Sequence, residues 1–429
     1  MTQFVFSNCI ERSRIAWLRQ LLAAAVLALL TLEAAAEDES KWPDFSLPEN
    51  FQIHGFGSQA FIKTSDNKWF GSSDDANGSW NYYELGVNAS WRPIPQLMFA
   101  AQLMMRDAGK TDDGSPRWDY ALADLTMLSE ATKTLGIRGG RIVNPLGLYN
   151  ETRDQPFTRP SIFLPQSIYF DVNRNLTLSG DGGQLYGEYR TEHSDWYMQL
   201  GVIRPRDRDP DIQELFTLGR FPGHMEGRAS VVGRLMYERN GGQWRGAVSG
   251  GWFNGDYKPQ ADFPNDLRAG SFDFNPLIFS LQYNAEKWSL TGEYALRYVR
   301  SKGFGPPPLD DSSTGESYYV QGIYRFSPKW QVVARYDVLY WDKDDKKGHK
   351  YEETFNAPSH SRFAKDFMVG LRWDINKHFM LRTEFHRVDG TGWLSRPDNP
   401  GLLQFSSSAD QDDVERHWNL FAIQGSFRF

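Results

Sequence analysis

Residues 418–429, WNLFAIQGSFRF, decide the fold. Phe421, Ile423, Gly425, Phe427 and Phe429 share one parity; Leu420, Ala422, Gln424, Ser426 and Arg428 share the other. Successive side chains of a strand point to opposite faces. One face therefore suits lipid and the other suits water. An uncapped apolar strand with a free edge ends a soluble protein badly, but it closes a membrane barrel well.

The opposite end of the chain agrees. Arg12, Arg14 and Arg19 precede an apolar run over residues 21–32, and Ala34, Ala35 and Ala36 form a small-residue cleavage site. This is the pattern of a secretory signal peptide over residues 1–36. The run is shorter than the roughly 20 residues of a spanning helix. The single cysteine, Cys9, leaves with the signal, so the mature chain is expected to lack disulfides, thiolate ligands and thiol nucleophiles. Residues 37–50 make a short periplasmic segment in which Trp42, Phe45 and Leu47 are the apolar members.

The mean hydropathy is −0.56. Even so, the chain holds 15 Trp, 19 Tyr and 29 Phe. A polar, aromatic-rich, exported chain suits a transmembrane barrel with a wet lumen, an apolar outer band and rings at both interfaces. The net charge of −7 gives no basic footprint for nucleic acid.

Alternating segments recur from residue 51 to the end. Trp330, Val332, Ala334, Tyr336, Val338 and Tyr340 oppose Gln331, Arg335 and Asp337. Trp288, Leu290, Gly292, Tyr294, Leu296 and Tyr298 oppose Ser289, Thr291, Glu293 and Arg297. A helical period fits neither run. Short connections fall near residues 93–96, 129–134, 191–195, 240–242, 284–287, 327–329 and 375–377. Long ones fall near 63–78, 108–116, 144–182, 205–225, 256–272, 301–315, 342–362 and 389–416. Seven short and eight long connections predict an all-β, antiparallel transmembrane barrel of 16 strands over residues 51–429. Strands near 119–128 and 183–190 alternate poorly, so the count is open by one hairpin. Trp196, Trp244, Trp288, Trp330 and Phe379 follow successive short turns with lipid-facing parity, which predicts an aromatic girdle. A barrel of about 16 strands leaves an aqueous channel rather than a filled interior.

The third long connection, residues 144–182, carries Ile162, Phe163, Leu164, Ile168, Tyr169 and Phe170. So much apolar surface does not belong on a free outer loop. Folded into the barrel, the loop would bury these residues and project its charges into the lumen.

The passage GGRIVNPLGLYNETRDQPFTRPS starting at Gly139 resembles the strand-to-third-loop region of Gram-negative outer-membrane porins. The signal peptide, the first strand FQIHGFGSQAF (residues 51–61) and the terminal Phe429 are similar to theirs as well. The resemblance implies a barrel, usually trimeric, whose third loop forms the constriction and whose last strand is read by the barrel assembly machinery. It places Glu151, Asp154 and Asp171 in the acidic role of the loop. Arg153, Arg159 and Arg174 depart from a purely acidic pattern and leave ion preference open.

On the wall, parity turns Arg228, Arg234, Arg245, Arg297, Arg335 and Arg372 inward, together with Glu84, Glu188, Glu238, Glu293, Asp337 and Glu384. Opposed charges across a narrow gap create a transverse field that orients polar solutes. Cross-strand ion pairing is the competing reading. No zinc, phosphate-loop or nucleophile-elbow motif appears, so no cofactor, metal or catalytic residue is assigned. The sequence predicts passive diffusion of small hydrophilic solutes across the outer membrane. The alternatives are a substrate-specific or plugged uptake barrel, a hydrolase with a Ser/His pair in the lumen, and a structural or adhesive barrel.

Overall fold

The structure is a computed structural model that describes residues 48, 50–206, 223–260, 268–305, 310–402 and 414–429. The signal peptide and the apolar trio Trp42, Phe45 and Leu47 lie outside these residues. Asn50–Phe429 form one compact unit.

The strands are β1 (Phe51–Thr64), β2 (Ser79–Ile94), β3 (Leu97–Ala108), β4 (Arg117–Ser129), β5 (Lys133–Val143), β6 (Ser179–Arg190), β7 (Ser194–Pro205) and β8 (in two pieces, Gly223–Gly227 and Ser230–Arg239). They continue with β9 (Trp244–Pro259), β10 (Gly270–Asn284), β11 (Trp288–Lys302), β12 (Asp311–Ser327), β13 (Trp330–Tyr340), β14 (Phe363–Asp374), β15 (Phe379–Gly390) and β16 (His417–Arg428). Each pairs antiparallel with its neighbour in sequence. β1 also pairs with β16, with Gly57 opposite Phe427 and Ile62 opposite Ala422, so the sheet closes on itself. Among the described residues this is a closed antiparallel barrel of 16 strands, the two pieces of β8 counting as one. The poorly alternating stretches near 119–128 and 183–190 are strands β4 and β6.

Closure follows from the alternation. Phe421 and Phe429 are exposed on the outside, while Leu420, Ala422 and Gln424 are fully buried inside. The same split holds on β11, where Trp288 and Leu290 face out and Thr291 and Glu293 face in. A one-residue slip would turn every one of these side chains to the wrong face, so the pattern fixes the register.

The girdle residues sit opposite further rings. Trp196 faces Tyr237, Trp244 faces Tyr283, Trp288 faces Tyr324, Trp330 faces Trp373, and Phe379 faces Phe427. Trp330 and Trp373 stack with centroids 5.2 Å apart. Trp91 and Phe99 continue the ring at 5.8 Å. Each such cross-strand pair is worth roughly 0.2–1 kcal/mol, and together the rings mark one edge of the apolar band.

One wall expectation is overturned. Arg228 lies at the break in β8, where register shifts by one residue between Gly227 opposite Gly255 and Val231 opposite Trp252. An extra residue in one strand is a β-bulge, and it inverts parity beyond itself. Met225 therefore faces in above the break and Val232 below it. Arg228 is left exposed, with its Nε 3.5 Å from Asp256 Oδ2, and does not line the lumen.

Candidate functional site

The loop between β5 and β6 (residues 144–178, hereafter loop 3) runs inside the barrel. Its four prolines stiffen it, and short helical turns at Asn150–Thr152, Pro156–Thr158 and Asp171–Asn173 fold it compactly. Ile162, Phe163, Leu164, Tyr169 and Phe170 are buried and Ile168 is partly so. Three apolar clusters hold the loop, the smallest being Leu164 and Tyr169 against Tyr319, and two are large. In one, Ile162, Phe163 and Phe170 meet Trp69 and Phe70 of the first loop, Trp393 and Leu394 of the last, and inward residues such as Ile62, Val388 and Leu420. In the other, Leu146 and Leu176 meet Val232, Phe253, Phe274 and Ile278 of the opposite wall. Trp69 lies 4.2 Å from Phe70 and 4.7 Å from Trp393, ring to ring. The first and last loops are further tied by Asn399, which accepts from Lys68 N at 2.9 Å and donates to Lys68 O at 2.9 Å. These loops cover the β1 and β13–β16 side of the mouth.

Polar pins complete the seat. Wall arginines donate to loop backbone carbonyls: Arg234 to Gly147 at 3.0 Å, Arg297 to Ser167 at 3.1 Å, Arg335 to Phe163 at 3.1 Å, Arg372 to Phe157 at 3.2 Å, and Arg382 to Ser161 at 2.8 Å. Loop amides donate the other way. Ile162 N bonds Glu384, Leu148 N reaches Glu293 Oε1 at 3.0 Å, and Gly147 N reaches Ser249 Oγ at 2.8 Å. Glu293 also accepts from Tyr169 and Tyr319 at 2.7 and 2.8 Å. A buried loop carries backbone groups that water cannot satisfy, so the wall must satisfy them.

The charged residues of the loop do not project into open lumen. Arg159 is buried and clamps Glu84 in two parallel bonds of 2.9 and 2.5 Å. Asp171 accepts from Arg106 at 2.8 Å and lies 3.5 Å from Arg153. Arg174 pairs with Asp154, and both are buried. Glu151 differs: it pairs with Arg234, accepts from Gln199 at 2.9 Å, and keeps 30% of its side chain exposed. Burial raises the carboxyls of Asp154 and Asp171, but their guanidinium neighbours outweigh it and hold both below the usual carboxylate range. Burial lowers the Arg153 guanidinium to about 10 even with Asp171 beside it.

Of the wall arginines, Arg234, Arg297, Arg335 and Arg372 thus hold the loop. Arg245 faces inward toward the short-turn end, bonded to Glu238 at 2.6 Å and Gln282 at 3.2 Å. Arg106 and Arg382 escaped the sequence reading. The signal for Arg106 was available, since it stands directly opposite Glu84 in the β2–β3 register. Arg382 lies two residues before Glu384 on the same face.

The lumen differs between its ends. Toward the short turns, inward ion pairs such as Arg138–Asp124, Arg245–Glu238 and Arg372–Asp374 are partly exposed. Beside loop 3, a cavity of about 240 Å³ opens between the loop and the β3–β5 wall, lined by Gln102, Tyr120, Arg138, Glu151, Thr152 and Gln155 among others. On the far side of the loop, the gap among Tyr82, Glu84, Arg106 and Arg159 is only about 10 Å³. A Ser/His hydrolytic pair is not formed at His386, whose ring nitrogens face Asp366 at 2.8 Å and Glu384 at 3.3 Å.

No protein-family model and no curated protein sequence matches the chain. Solved structures do match in fold. OmpT, an outer membrane protein of Vibrio cholerae, aligns at a TM-score of 0.53 and 10% identity, covering 90% of this chain and 100% of that one. The outer membrane channel DcaP of Acinetobacter baumannii aligns at 0.51 and 10%, covering 88% and 97%. OmpF of Salmonella typhi, in complex with daunomycin, aligns at 0.51 and 13%, again covering 88% and 97%. At such identities the likeness is one of fold, and the fold this chain shares is the sixteen-stranded porin-like barrel.

Proposed function

We propose that this protein is an outer-membrane channel for passive diffusion of small hydrophilic solutes, not an enzyme. The observation that carries this reading is a closed barrel with an aromatic-edged apolar exterior around a lumen of charged side chains, narrowed by an inserted loop beside a cavity of mixed polar and apolar lining. The exterior suits a lipid bilayer, since closure leaves no unpaired strand edge for lipid to meet. Assembly through the Phe429 strand and association as a homotrimer complete the proposal; the Vibrio cholerae barrel is described in a trimer form. The constriction is assigned to loop 3, with Glu151, Arg153, Asp154, Arg159, Asp171 and Arg174 as its charged residues. In this role five of the six set the loop's position, and Glu151 faces the passage.

A second reading, a solute-specific barrel with a nearly closed lumen, is favoured by the apolar cover over one side of the mouth and by the buried pins around the loop. Planar-bilayer recording of the purified chain separates the two. Stable ion-permeable steps are expected from a diffusion channel. Insertion without current would replace it with the closed reading, and ester hydrolysis lost on serine labelling would make the protein an enzyme.

A further inference from the structure

We infer that the cavity beside loop 3 is a binding site for uncharged polyhydroxylated solutes the size of one sugar ring, and that the passage through it discriminates little between ions. This rests on the channel reading above and names the solute class of that site.

Size is the first argument. At about 240 Å³ the cavity is below the roughly 300–1,000 Å³ of pockets for drug-sized ligands. The space continues into the open lumen, so it admits a single sugar ring without enclosing it.

Charge compensation is the second. Each charged side chain lining the cavity is closed by an opposite partner. Glu151 is paired with Arg234. Arg138 donates to Asp124 at 2.9 Å and lies over the Tyr186 ring at 4.4 Å. Asp154 is paired with Arg174. A permeating ion sheds hydration on entry and meets no unpaired counter-charge to replace it. The transverse field anticipated from the sequence is thus short-circuited within each pair.

The third argument is what remains to meet a solute. Gln155, Thr152 and Tyr120 line the cavity beside the apolar Leu122, Ile142 and Val143, while Gln102, buried and donating to Asp119 at 3.1 Å, stands behind with Gln184 and Gln199, the partners of Arg138 and Glu151. A carboxamide donates and accepts, as does a hydroxyl. A polyol can therefore exchange its water hydrogen bonds for protein ones at little net cost, while an aromatic ring suits its C–H face.

The test uses the full chain in planar bilayers and in liposomes. Under a tenfold KCl gradient, the cation-to-anion permeability ratio is expected within about twofold of one. In swelling assays, D-glucose should enter several-fold faster than gluconate or glucosamine, and added D-glucose should reduce the ion current. Gln155→Ala should weaken that block. Glu151→Gln frees the Arg234 charge and should move selectivity toward anions; Arg234→Gln frees Glu151 and should move it toward cations. A merely disturbed loop would shift both variants the same way, which would overturn the assignment. So would a wild-type ratio of tenfold or more, or equal entry of the three solutes through a conducting channel. A protein that inserts yet passes neither current nor solute overturns the channel reading together with this one.

Discussion

At the scale of single residues, the site is governed by the cost of burying charge. Glu84 is buried among Arg159, Arg106, Ser58 and Tyr82, with Ser58 Oγ at 3.1 Å and Tyr82 Oη at 3.2 Å. Removing one partner of such a pair leaves the other uncompensated and costs about 3–5 kcal/mol. Arg159→Met should therefore unseat the tip of loop 3 and lower the thermal transition of the folded barrel. Increased protease cleavage near residue 160 would report the unseating, and an unchanged cleavage pattern would count against it. The pH response follows from the loop carboxylates. Asp154 and Asp171 have depressed values in the folded protein. Their contribution is present above the ordinary carboxylate value near 4 and is lost only as pH falls through the lower folded value. Seating of the loop by these two carboxylates, read as protease resistance around residues 154 and 171, should stay level from pH 7 down to about 4 and weaken only below that. A loss of that resistance between pH 5 and 7 would assign the seating to other groups.

At the scale of elements, loop 3 combines an apolar anchor with polar pins. Phe163 is buried where the rings of Trp69, Phe70, Tyr82 and His386 converge. Phe163→Ala should cost about 3–5 kcal/mol, read as a shift in the urea midpoint of detergent-folded protein. Deleting residues 157–173 removes the tip and most of the apolar plug, so conductance should rise severalfold; unchanged conductance would mean that the loop does not limit the pore. The inward fold of this loop was legible, because its apolar run has no use outside. The pairing was less so. Arg159 and Glu84 are separated by 75 residues, and parity alone put Glu84 in the lumen without naming its partner. Arg228 shows the opposite failure: parity assigned it to the lumen, and a one-residue bulge at the break in β8 turned it away.

At the scale of the whole molecule, closure depends on the seam between β1 and β16. Phe429 exchanges both backbone bonds with Gly55, at 3.0 and 3.2 Å. Its ring covers the space above Gly55, and the Phe427 ring covers Gly57. A side chain at either glycine would occupy the volume of the ring. Gly55→Val should therefore slow refolding into detergent micelles, seen as a persistent unfolded band in unheated electrophoresis. A refolding rate equal to that of the native chain would remove the seam from the folding argument.

The sequence by itself determined most of the strand parity, the sorting of short and long connections, the aromatic girdle and the barrel size to within one hairpin, because each is a local property of the pattern along the chain. It also determined that loop 3 turns inward, since water rejects so much apolar surface. The tertiary structure alone decided which charges meet. Ion pairing inside a cylinder depends on which strands face one another across the lumen and on bulges that shift parity, and neither is encoded in spacing along the chain. That decision changes the chemistry of the site, from an array of free opposed charges to compensated pairs around a gap of mixed polar and apolar lining.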